Sequence, residues 1–191
     1  NHFLENYGNT IDMSNPSYLR KGNDEDVANL VSDMNAGKID ALITYNVNPS
    51  YTLVNADGFN TGLKKVGLKV STSLYMDETA SKMDYVCPDN HNLESCGDTN
   101  PSNGIYTLMQ PTINPLYNGR QFQDSLLSWS GSSDKYYDVL KNSYSDWNTK
   151  LHDGYFNGDR EEYNLKDATF SAPSSPFSSS EGVEFEISEK I

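Results

Sequence analysis

Two short apolar runs constrain this chain most: Ala41, Leu42, Ile43, Thr44, Tyr45, and a second over residues 68–73, about one βαβ repeat further on. A run that is apolar nearly throughout is the pattern of a strand buried on both faces. Two such runs with a helix between them pair in parallel through a right-handed crossover. Helix signals flank the first run. Asn23 stands where an N-cap belongs, ahead of Asp24, Glu25 and Asp26, acids that suit the positive end of a helix dipole. Val27, Leu30, Val31 and Met34 then fall on one face, and Gly37 sits where a left-handed C-terminal cap is needed. A weaker face of Phe59, Leu63 and Val66 precedes the second run.

A short helix opening over Asp77, Glu78, Thr79 and Ala80 leads to a third strand, Tyr85, Val86, Cys87, which Pro88 ends. The expectation is a three-layer α/β fold on a mainly parallel, Rossmann-like, doubly wound sheet. Residues 89–104 read as a long loop, because Asn, Asp, Gly, Ser and Pro dominate them. Residues 105–109 then read as extended. One helix is expected over residues 122–129, and another with Tyr137, Leu140, Tyr144 and Trp147 on one face. Residues 171–180 are Ser- and Pro-rich and read as a linker. Val183, Phe185 and Ile187 alternate with polar residues like a strand that lacks a partner. The division is a lead-in over residues 1–22, an α/β domain over 23–150, and a linker with the start of a further domain over 151–191.

Charge and composition exclude several functions. A net charge of -13 repels polyanions, so no nucleic-acid partner is expected. No apolar run approaches the roughly 20 residues of a spanning helix, so direct membrane insertion is not expected either. Hydrophobic residues make up only 36% of the chain, and with 13 Tyr and 7 Phe an aromatic-rich core follows. The two cysteines, Cys87 and Cys96, are too few to ligate an iron–sulfur cluster and leave two readings open, free thiols or a local disulfide. His91 and Glu94 near Asp89 form only a weak metal motif. Neither a G-x-G-x-x-G fingerprint nor a P-loop follows a strand, and there is no G-x-S-x-G elbow, so no catalytic residue is assigned. What lies at the strand ends is polar: Asn46 and Asn48 after the first, and Ser71, Thr72 and Ser73 at the second. That edge of an open α/β sheet is where ligands bind, although Asn and Pro also simply make turns.

The order of these motifs resembles the third domain of the molybdopterin oxidoreductase superfamily. The parts that match are the strand ending in Asn48-Pro49, the strand leading to Glu78-Thr79, the run from Ala80 through Asp84, Tyr85 and Val86 to Pro88, and Leu93, Glu94 and Gly97. The strings YGNTIDMSNPSYLRKGND and LMQPTINPLYNGRQFQDSLLSWSG further resemble the B subunit of alternative complex III, a molybdopterin-like and iron–sulfur fusion of bacterial quinol oxidoreductases. The resemblance implies a non-catalytic scaffold or docking domain of an electron-transfer subunit, working with other domains and subunits of a membrane complex on the periplasmic side. It implies iron–sulfur clusters elsewhere in the parent and no molybdopterin. Asn46, Asn48, Ser71, Ser73 and Asp77 would face a vestigial dinucleotide cleft, with Asp84 and Glu94 structural. The alternative is a fragment of an active molybdopterin-dinucleotide enzyme supplying part of the cofactor site. Cys87 and Cys96 replace apolar or aromatic residues of the family pattern, which favours a disulfide special to this protein.

Overall fold

A computed structural model describes residues 4–19 and 22–162 of the chain. The chain divides into one unit, Asn1–Glu161, and a second, Glu162–Ile191. The serine- and proline-rich linker and the strand expected around Phe185 lie outside the described residues.

Helix α1 covers Asp24–Asn35, and its N-cap Asn23 accepts the backbone N–H of Glu25. It ends as the sequence requires. Gly37 takes a left-handed φ of 71°, its N–H donates to Met34, and the Lys38 N–H reaches back to Asp33, which completes a Schellman cap. Strand β1 (Ala41–Thr44) follows, then the single turn α2 (Pro49–Thr52) and helix α3 (Ala56–Leu63). Strand β2 (Leu68–Ser71) pairs in parallel with β1, Ala41 beside Leu68 and Thr44 beside Ser71. A 3-10 turn, Ala80–Lys82, leads into β3 (Tyr85–Val86), parallel to β2. The α/β fold with a parallel sheet is therefore present. Its strand order, β1-β2-β3, runs one way without the reversal that defines a doubly wound sheet.

Helices α1 and α3 pack on each other, and the core lies where they meet the sheet. Val31, Met34, Phe59, Leu63 and Val66 form it, with Leu42 and Met83 packed against them. Gly62 permits the close approach, since a Cβ there would stand 2.8 Å from the Met34 Cβ. Contrary to the aromatic-rich expectation, Phe59 is the one aromatic in this cluster. Stacked and edge-on rings gather elsewhere: Tyr106 on Phe156, Tyr144 on Phe156, Tyr137 on Trp147, and Tyr45 on Phe122.

The supposed loop over residues 89–104 contains a 3-10 turn, Asn92–Glu94, and strand β4 (Gly97–Ser102). Pro101 and the low hydrophobicity disguised β4. It tolerates that proline because its ladder with β5 (Ile105–Met109) shifts register between Thr99 and Ser102. Helix α4 (Phe122–Trp129) lies as expected. The next predicted helix is broken in two: α5 (Tyr136–Ser143) stops, Asp146 takes a left-handed φ of 54°, and α6 (Trp147–Asp153) starts afresh. Strand β6 (Tyr155–Asn157) then completes a second, antiparallel sheet in the order β4-β5-β6, so the unit continues beyond residue 150.

Asn103, 3% exposed, fastens an early segment of this unit to its last residue. Its Nδ2 donates to the carbonyls of Ser14 and Glu161, and its Oδ1 accepts the Glu161 N–H, each at 2.8 Å. No helix among the described residues is long and apolar enough to cross a membrane.

The Met34 side chain is fully buried between α1 and α3. Met34→Ala should therefore cost about 3 kcal/mol of stability, read as a lower urea midpoint at unchanged slope; an unchanged midpoint would show that the core collapses around the cavity.

Candidate functional site

The carboxyl edge of the parallel sheet is built from the loops that leave β1 and β2. Thr44 and Thr72 are buried beneath it, with the Thr72 N–H and hydroxyl both donating to the Thr44 carbonyl. Asn46 turns the chain out of β1 with a left-handed φ of 51°, a conformation asparagine tolerates better than most residues. Asn48 occupies the N-cap position of α2 but makes no side-chain cap bond to that helix. Its amide reaches across to the other loop instead. Nδ2 donates to Glu78 at 2.7 Å, and Oδ1 accepts the Thr79 hydroxyl at 2.7 Å and the Thr79 N–H at 3.2 Å. The Thr79 hydroxyl oxygen in turn accepts the Ser50 N–H.

Asp77 completes the set. One carboxylate oxygen accepts the N–H groups of Thr79 and Ala80, and the other accepts the Ser73 hydroxyl at 2.8 Å. Ser71 Oγ accepts the Ser73 N–H. Of the five residues expected at the dinucleotide cleft, Asn48, Ser71, Ser73 and Asp77 thus join one network that binds the two loops to each other. Asn46 stands apart from them, in the lining of a hollow. The Asn48 amide, with the Glu78 backbone, holds the Glu78 carboxyl below its ordinary range. Asp84 lies at the amino end of β3 beside Lys69, which donates to it from both Nζ and the backbone and lowers its pKa.

Two hollows adjoin this edge. The larger, about 880 Å³, is walled by Leu74, Tyr75, Pro88, Leu116 and Tyr117, with Cys87 and Arg120 on its lining. The smaller, about 510 Å³, has Tyr45, Asn46, Thr72, Asp89, Asp98 and Tyr136 around it. The sequence reading missed most of the residues that shape it. Asp98 accepts the hydroxyls of Tyr136 and Tyr144. Burial and the Asp98 charge push the Tyr136 phenol up to about 12 and raise that of Tyr144 as well. Asp89 accepts the N–H of Phe122 at the start of α4, and burial followed by the Asp89 charge raises the Tyr45 phenol. Only the abundance of tyrosine hinted at such a cluster, because Asp98 lies on the strand mistaken for a loop.

His91 and Glu94 form a capping box rather than a ligand pair. His91 Nδ1 accepts the Leu93 N–H, while Glu94 accepts the N–H groups of His91 and Leu116, which lower its pKa. Among the described residues no group of three or more His, Cys, Asp or Glu is placed to hold a metal ion. Both cysteines are free thiols, and they line different hollows, exposed Cys87 the larger and Cys96 the smaller. Cys96 is clasped by Gln121, which accepts its N–H and donates to its carbonyl, and burial pushes its thiol up. The edge therefore offers protonated phenols, amides and engaged carboxylates.

Two expectations follow. Asn48→Ala should cost about 1–3 kcal/mol, because it strands the Thr79 donors. Glu78 adds a pH signature to that loss. Its folded pKa is depressed, so its contribution is present above the ordinary value near 4.5 and disappears as pH falls through the folded value. Urea unfolding from pH 7 to pH 3 should accordingly fall less steeply for the variant than for the parent protein. Thiol titration under denaturing, non-reducing conditions should count two thiols, and without denaturant Cys87 should react well before Cys96.

No family model matches the chain. In sequence it is similar to the menaquinone reductase, molybdopterin-binding-like subunit of Nitratidesulfovibrio vulgaris, 33% identical over 95 residues, which are 48% of this chain and 14% of that protein. In fold it is similar to acetylene hydratase from Pelobacter acetylenicus, with a TM-score of 0.58 at 19% identity over 72% of this chain. The chain thus spans about a seventh of the length of the curated relative and 21% of the solved chain.

Proposed function

We propose that this molybdopterin-oxidoreductase-like chain, related in sequence to a subunit of a quinone reductase, is a non-catalytic scaffold and docking domain of a larger electron-transfer protein. The observation that carries the proposal is the closed network at the carboxyl edge. A dinucleotide's pyrophosphate needs converging N–H groups or cations. Here the Thr79 and Ala80 N–H groups are taken by Asp77, and the Asn48 amide is taken by Glu78 and Thr79. In this reading the edge does not fit a bound pterin dinucleotide, because the Asp77 and Glu78 carboxylates already hold its donors.

In this reading the parent is the iron–sulfur electron-transfer subunit of a membrane quinol oxidoreductase, of the kind seen in alternative complex III. Its clusters are held by other domains, the complex faces the periplasm, and no molybdopterin is bound. The partners are the other domains and subunits of that complex. The second reading is a working half-site for a molybdopterin dinucleotide. It is favoured by the smaller hollow, which opens at the ends of β1 and β2 with Asn46 and Thr72 on its lining.

Elemental analysis of the intact protein separates the two, with neither molybdenum nor tungsten expected above background. Titration of the same protein with a guanine nucleotide at low salt should give no saturable binding. An affinity tighter than about 10 μM, roughly 7 kcal/mol, would favour the half-site.

A further inference from the structure

Two phenols from opposite ends of α5 converge on one carboxylate of β4. Tyr136, the first residue of the helix, donates to Oδ1 of Asp98 at 3.3 Å, and Tyr144, the residue that ends it, donates to Oδ2. The carboxylate is held in place by the ladder, where Asp98 stands opposite Leu108 of β5. All three side chains are half-buried, and burial together with the bonds to Asp98 keeps both phenols protonated at neutral pH. Removing one electron from a phenol makes its proton strongly acidic, so oxidation is easiest where a base already accepts that proton. Lys150 adds a second constraint. Its ammonium lies 5.8 Å from the centre of the Tyr144 ring and 4.6 Å from that of Phe156, which packs edge-on against Tyr144 at 5.1 Å. A cation so close opposes positive charge on the ring, so electron and proton leave together.

We infer that Tyr144 is a redox-active tyrosine, which gives one electron to a strong outer-sphere or radical oxidant while its hydroxyl proton passes to Asp98. The O–H bond of Tyr144 breaks, an O–H bond forms on Oδ2, the oxidant is reduced by one electron, and a neutral phenoxyl radical remains. Tyr136 continues to donate to Oδ1 and keeps the protonated carboxyl in position. When an electron returns from a reductant, the proton goes back along the same bond. Asp98 and Tyr136 border the smaller hollow together with the sulfur-bearing residues Cys96 and Met109. Oxygen added to sulfur stays until an enzyme or a thiol removes it, whereas a phenoxyl radical is erased by one electron. The site is thus a renewable sink for oxidising equivalents beside two oxidisable sulfurs. The inference is independent of whether the chain is a scaffold or a cofactor half-site.

The test generates ruthenium(III) polypyridyl oxidants of graded strength by flash photolysis in a solution of the intact protein. With the weakest oxidant that reacts, freeze-quenched electron paramagnetic resonance should show a tyrosyl radical that Tyr144→Phe removes and Tyr75→Phe, on an exposed ring, leaves in place. A signal of unchanged yield in Tyr144→Phe overturns the inference. Asp98→Asn should slow radical formation about tenfold or more, the loss expected when a charged acceptor is taken from a hydrogen bond; an unchanged rate overturns it. One readout needs no substitution and stands if a variant fails to fold. In the parent protein the rate should be independent of buffer concentration and lower in deuterium oxide. A rate that climbs with buffer concentration hands the proton to solvent rather than to Asp98, and overturns the inference.

Discussion

The amide of Asn48 fixes the edge of the parallel sheet, and the shape of everything built at that edge depends on it. One side chain donates to Glu78 and accepts twice from Thr79, so the loop after β1 and the loop after β2 cannot move independently. The amide carries its donor and its acceptor on separate atoms, so one side chain bonds both residues at once. Aspartate would set like charge against Glu78, and serine would not span the gap. The cost falls on α2, whose N-terminus receives no side-chain cap from Asn48. Thr79, 1% exposed, is the buried pin on the other side.

The first half of the unit was legible because its signals are local. Asn23 as a cap, Gly37 at a left-handed position and the apolar face ending in Met34 each specify α1 within a few residues. The runs at residues 41 and 68 read as parallel strands for the same reason. In the second half β5 and α4 were legible, and the rest was not because its order is non-local. Strand β4 has almost no apolar residues and is defined by its ladder with β5, and the helical face running from Tyr137 to Trp147 gave no sign of the left-handed turn at Asp146. The candidate site was legible only in part. The sequence puts Asn48 and Ser73 at the strand ends and Asp77 in the turn that follows, but their partners decide what they do, and a single sequence does not reveal that they bond to one another.

The two hollows differ in kind because different elements supply their walls. The larger lies between exposed tyrosines and leucines of two irregular segments, whose apolar side chains have little else to pack on. The smaller is bordered by the start of β4 and by α5, where the Asp98 carboxylate is shared between two phenols. An acid placed there takes part in neutral–ionic hydrogen bonds that strengthen in partly buried surroundings, and the phenols hold their protons far into the alkaline range. That arrangement stiffens the junction between the antiparallel sheet and the helices beside it.

The fastening of Ser14 and Glu161 by Asn103 has a mechanical meaning. The chain at residue 14 and the chain at residue 161 run past the same spot, with one buried side chain hydrogen-bonded to both passing segments. A pull on those two segments is carried across these three bonds before either sheet is peeled strand by strand. The clasp acts as a strain relief that spares the packing of the interior.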